Sequence, residues 1–147
     1  MPRGLERLKP SLEISTIRRI DSAIATGQRE QKELATFHLD RGRRLFEQGS
    51  HTEAIAELRR ALYLSPYEAE AHLLLGRIYL RSGQTPAAID AFKIALWSQE
   101  SVAGHIELSH AYLQNKDEAN ARATLERALV LDPTSAEVEE RLSKLKP

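Results

Sequence analysis

The residues best suited to chemistry are the histidines, and three of the five, His38, His72 and His105, recur at intervals of 34 and 33 residues. Imidazoles can bind zinc, but zinc ligands must stand about 2 Å from one ion. Side chains one repeat apart on packed helices are separated by about 8–10 Å or more. The three therefore cannot share a metal, and they are expected to fill the interface between one helix and the helix before it. The segment HIELSH (105 to 110) has the outline of a zinc-hydrolase helix, yet its histidines stand at i and i+5. That chemistry needs i, i+4 spacing and a glutamate directly after the first histidine. Nucleophile elbows, phosphate-binding glycine loops and dinucleotide fingerprints are also missing. With no cysteine in the chain, thiol chemistry and disulfides are excluded. The sequence predicts no catalytic residue, no metal and no cofactor.

The same period runs through the apolar residues. LDRGRRLFEQGSHTEAIAELRRALYLSP (39 to 66) aligns with LLLGRIYLRSGQTPAAIDAFKIALWSQE (73 to 100) at an offset of 34, and IELSHAYLQNKDEANARATLERALVLDP (106 to 133) follows with one residue fewer. Leu75, Gly76, Tyr79, Ala88, Phe92 and Ala95 mark the middle unit, at helical spacing. A Gly-Gln break between two short apolar runs predicts two antiparallel helices per unit. The expected pairs cover about 30–48 and 52–64, 67–82 and 86–97, and 100–114 and 118–131. Ser50 with Glu53, Ser65 with Glu68 and Asn115 with Glu118 have capping-box spacing. One pair cannot bury its own apolar face, so three units must stack into a continuous core.

At Leu75-Gly76, Tyr79, Ala88, Phe92, Ala95 and ALVLDP (128 to 133), the chain resembles the tetratricopeptide repeat family. The resemblance implies an all-α, right-handed α-solenoid with units at about 35–68, 69–101 and 102–135. AEVEERLSKL, within 136–147, places Val138, Leu142 and Leu145 on one face of an expected capping helix. Residues 11–28 form an expected N-terminal helix, with Ile17, Ile20 and Ile24 on one face and Ala25-Thr26-Gly27 as its stop. It would either close the first repeat, whose Ala54, Leu58 and Ala61 lie one period later, or, over residues 11 to 26, dock on a partner or in the protein's own groove. Residues 1–10 are expected to be disordered.

In the family the first helices of successive units line a concave groove that holds a peptide or helix. Counted from the core positions, that face carries Leu39, Arg43 and Phe46, then Leu73, Arg77 and Leu80, then Ile106, His110 and Leu113. Each basic or potentially basic residue stands between two apolar ones, three times over. Arginine forms forked, charge-assisted bonds to carboxylates, and the apolar neighbours supply buried area. The expected partner is another protein offering an acidic or amphipathic segment. On this reading, reversing the charges of Arg43 and Arg77 abolishes capture and leaves stability unchanged. The chaperone-tail clamp of some family members is missing, since Leu39 and Arg43 occupy the places of its first Lys and Asn. Tyr63, Trp97 and Val130, equivalent places on the second helices, form a second candidate patch; through it and the N-terminal helix the chain would alternatively assemble as a structural subunit of a homo-oligomer or larger complex.

Composition narrows the alternatives. The chain has 41% hydrophobic and 29% charged residues, with 21 basic and 21 acidic side chains. Residues 1 to 44 hold ten basic and six acidic residues, and the remainder eleven and fifteen. That split is far from a nucleic-acid-binding balance. No apolar run approaches the roughly 18 residues of a membrane span, and MPRGLERLKP precedes no apolar secretion core. The expected setting is cytoplasmic, with no nucleic acid and no membrane among the partners.

Overall fold

The computed structural model describes residues 10 to 145, with side chains from Glu13 onward. The tail expected over 1–10 lies outside the described residues, apart from Pro10, which opens the first helix. The order is α1 (Pro10–Glu47), α2 (His51–Leu64), α3 (Ala69–Arg81), α4 (Thr85–Ser98), α5 (Val102–Gln114), α6 (Glu118–Leu131) and α7 (Ala136–Ser143). Together these helices build an all-α solenoid.

Each helix pair turns through a left-handed residue at one repeated position: Gly49 (φ 78°), Gly83 (φ 79°) and Lys116 (φ 58°). The turn closes the same way three times, with Ser50 N–H donating to Leu45 O (2.9 Å), Gln84 to Tyr79 O (2.8 Å) and Asp117 to Tyr112 O (2.9 Å). Glycine reaches this conformation freely, whereas Lys116 holds it at a cost in backbone energy. The capping boxes expected from spacing do not form. Ser50 makes no side-chain cap bond, Ser65 ends α2, and Asn115 ends α5. The hydroxyls and carboxylate that cap are Ser101, Asp117 and Ser135, which accept from the N–H of Gly104, Asn120 and Val138.

Close approach of paired helices requires residues without a side chain. A Cβ on Gly42 would stand 2.7 Å from Leu58, and one on Gly76 would stand 2.5 Å from the Phe92 ring. In the third pair Ser109 takes this place, 1% exposed, with its hydroxyl turned back onto Ile106 O (2.7 Å). Three apolar clusters follow along the stack. Leu39, Leu58, Leu74 and Ile78 form the first, Phe92, Leu108 and Tyr112 the second, and Leu125, Val138 and Leu145 the third. Tyr79 packs against both of the first two, so the core continues from pair to pair.

The N-terminal segment differs from the expectation. There is no stop at Gly27: α1 runs unbroken for 38 residues. One helical glycine costs only about 1 kcal/mol against alanine, and the run of Gln, Arg, Glu, Lys and Leu after it propagates helix well. Ile14, Ile17, Ile20 and Ile24 are 50–56% exposed, so this segment projects instead of closing the first repeat.

Candidate partner-binding groove

The sequence-derived series divides once the helices are in place. Phe46 from α1, Arg77 and Leu80 from α3, and Ile106 and His110 from α5 line one cavity of about 540 Å³. Arg81, Gln114 and Glu107 join them, as does Arg141 from α7. Four of the nine expected residues lie elsewhere. Leu39 is a correction: it is 7% exposed and belongs to the core with Leu58 and Leu74, because its face of α1 meets α2. Leu73 packs half-buried on the second core cluster, and Leu113 borders a separate recess beside α7.

Arg43 and Arg77 are not free anchors. Arg43 grips Glu70 of α3 through two bonds, Nε to Oε1 (2.6 Å) and Nη2 to Oε2 (2.8 Å), and also reaches Asp40 (2.9 Å). This hydrogen bonding to Glu70 raises the Arg43 pKa further above its already high value. Arg77 Nε donates to Glu107 of α5 at 2.5 Å. Both arginines therefore tie one first helix to the next, and reversing them would set glutamate against glutamate. The expectation that the double reversal spares stability is thus corrected on physical grounds.

The cation left facing the cavity is Arg81. Its guanidinium lies 4.9 Å from the Phe46 ring centroid and has no carboxylate partner among the described residues. Arg141 pairs only with the exposed Glu137 on its own helix (3.3 Å), a contact that contributes little in water. His110 shares a hydrogen bond with Gln114 at 3.1 Å. Arg81 lies one turn beyond Arg77, so helical spacing alone could have found it. Arg141 had no such signal, because only the return of α7 brings it there.

The proposed second patch is exposed but does not gather. Tyr63, Trp97 and Val130 are 87%, 75% and 66% exposed. Trp97 makes its ring contact with Tyr67, at 5.2 Å, not with Tyr63.

The three equivalent histidines meet three different fates. His38 Nδ1 pairs with the buried Glu57 (2.6 Å), and His72 Nε2 with Pro66 O (2.9 Å). Both ring nitrogens of His105 are buried without a hydrogen bond, 3.8 Å from Glu100 at the nearest. Among the described residues no group of three His, Cys, Asp or Glu could hold a metal.

Two of these groups couple stability to pH. Burial pushes the His105 pKa below the usual 6.5, Glu100 opposing and Arg127 reinforcing. The His38 hydrogen bond holds Glu57 below 4.5, against its own burial. Both bind fewer protons when folded, so their contribution is full above the unfolded pKa and is lost as pH falls. Thermal midpoints should fall from pH 7.5 to pH 5, and His105→Leu should flatten the upper part of that decline by a few °C. An unchanged profile in His105→Leu would remove that assignment.

The tetratricopeptide repeat family profile matches residues 19–69, 39–104 and 73–136, most of the chain. The chain belongs to the tetratricopeptide repeat family. No curated protein matches it significantly by sequence. Solved tetratricopeptide structures share its fold. The first such domain of Spaghetti (RPAP3), bound to the HSP90 peptide SRMEEVD, superposes with a TM-score of 0.70 at 22% identity, over 77% of this chain and 90% of that one. The N-terminal domain of stress-induced protein-1 from C. elegans gives 0.72 at 13%, over 80% and 98%. MamA gives 0.69 at 20%, over 92% and 81%. The helices pack as the pairs α1–α2, α3–α4 and α5–α6, and the cavity lies on the side of the first helices. No helix among the described residues is long and apolar enough to cross a membrane.

Proposed function

We propose that this protein is a non-enzymatic interaction scaffold whose groove captures an acidic, amphipathic segment of another protein. The observation that carries the reading is the pairing of chemistries in one cavity. Phe46, Leu80 and Ile106 supply an apolar floor, beside an arginine, Arg81, with no carboxylate partner among the described residues. A carboxylate entering there gains a charge-assisted, forked hydrogen bond, while its apolar neighbours bury area on the floor. Arg141 and His110 extend the positive rim. That one structural neighbour holds SRMEEVD, a peptide with three carboxylate side chains, supports the polarity of the proposed ligand.

Affinity purification with mass spectrometry, comparing wild type with Arg81→Glu/Arg141→Glu, supplies the test. The expected outcome is loss of the captured partner, and at least a tenfold weaker Kd for its acidic segment, equivalent to about 1.4 kcal/mol. Both arginines are solvent-facing, so the melting temperature should hold. Undiminished capture by the reversed protein rules out the groove. Arg43→Ala gives the opposite pattern, a small loss of stability with capture retained.

A further inference from the structure

The projecting half of α1 carries an apolar face that none of the other described residues covers. At 100° per residue, Ile14, Ile17, Ile20 and Ile24 fall on the same side of α1 as Ala35, Leu39 and Gly42. That is the side against which α2 packs. Coverage by α2 ends where Gln31 Nε2 donates to Leu64 O (2.8 Å), at the last residue of α2. The helix from Pro10 to Gln31, about 30 Å long, therefore continues an established helix-packing face from Glu13 onward, with no helix on it among the described residues. The tetratricopeptide match begins at residue 19, and Ile20, Ile24 and Gly27 stand one period before Ala54, Leu58 and Ala61. This half of α1 is thus built like the second helix of a repeat, with no first helix against it among the described residues.

We infer that a second copy of this chain covers the face, the two projecting helices packing antiparallel about a twofold axis near Ile20 and Asp21. Three features select that occupant. The first is length: the midpoint of the free span lies between residues 20 and 21, so two antiparallel spans fit between the ends of the two α2 helices. The second is shape. In this register Ile17 of each copy faces Ile24 of the other, at the centre of the stripe.

The third feature is charge. Asp21 lies within the isoleucine stripe and Arg18 at its edge, and neither has an ion pair among the described residues. An antiparallel twofold sets like edges together, which brings Arg18 of each copy to Asp21 of the other, twice. A lipid surface is disfavoured by the same geometry, since a carboxylate inside the apolar stripe would enter the acyl region unpaired.

Sedimentation velocity on the full chain, from about 1 to 200 µM, reads the result directly as a shift from the 16.6 kDa monomer toward twice that mass. Ile17→Glu/Ile20→Glu should stay monomeric throughout, with the circular dichroism of its repeats unchanged because both side chains are exposed in the monomer. Arg18→Asp and Asp21→Arg should each weaken association about tenfold, and the combined swap should restore it. Wild type that stays monomeric overturns the inference, as does a dimer indifferent to the isoleucine variant. Single charge reversals without effect overturn the antiparallel register. Flotation with phosphatidylcholine vesicles containing about a third phosphatidylserine, lost on Ile17→Glu and seen without any dimer, assigns the stripe to a membrane instead. The groove reading stands or falls separately, because Arg81 and Arg141 take no part in this contact.

Discussion

Phe92→Ala should be the most damaging single truncation in the stack, lowering stability by about 3–5 kcal/mol. The ring is 1% exposed and seats directly on Gly76, where the α3 backbone comes too close for any side chain. It also belongs to the cluster with Leu108 and Tyr112, so it joins the second pair to the third. Removing it leaves a void that a glycine on one side cannot fill. Against a typical total of about 5–15 kcal/mol, the loss is a large fraction. Thermal unfolding should shift down by roughly 10–15 °C. Since solenoid stability is a sum of neighbouring contacts, the transition should also broaden, with the first pair outlasting the second and third. Phe92→Leu should recover more than half of the loss. A variant with the wild-type midpoint would show that the Gly76–Phe92 seat is not central to the stack.

Glu57→Ala should cost roughly 3 kcal/mol, the low end of the range for breaking a buried ion pair. Its side chain is 6% exposed and holds His38 (2.6 Å) and Arg60 (2.7 Å), with Arg41 at 3.8 Å. The two arginines are about half exposed or more, so water can receive them when the carboxylate is gone. The 16%-exposed imidazole cannot be rescued in that way, and its lost partner sets most of the cost. Urea denaturation of Glu57→Ala, Glu57→Gln and Arg60→Ala separates these contributions. The glutamine should lie between the other two, since its amide can still hydrogen-bond His38. Arg60→Ala should lose under about 1 kcal/mol. An equal effect from Arg60→Ala would mean that surface charge, not the buried pair, dominates.

How far the sequence reaches depends on the kind of contact. Gly76 opposite Phe92 was legible because the pattern repeats: Gly42 with Leu58 states the same constraint 34 residues earlier. The position of each turn was legible for the same reason, down to Lys116 standing where Gly49 and Gly83 do. The projecting helix was misread at Gly27, since a local breaker was weighed without the helix-forming run that follows it. Leu39 was misassigned because two faces of α1 are apolar, and spacing does not say which of them α2 covers.

The periodic core, the number of helix pairs and the family were determined by the sequence itself, because a repeated contact leaves a repeated residue. What the tertiary structure alone decided was the state of the charges. Arg43 and Arg77 look like anchors until Glu70 and Glu107, 27 and 30 residues away, are seen to hold them. Arg141 joins the groove only because α7 folds back beside α5. Electrostatic partners are set by distance in space, and an approach between residues far apart in the chain leaves no spacing to read.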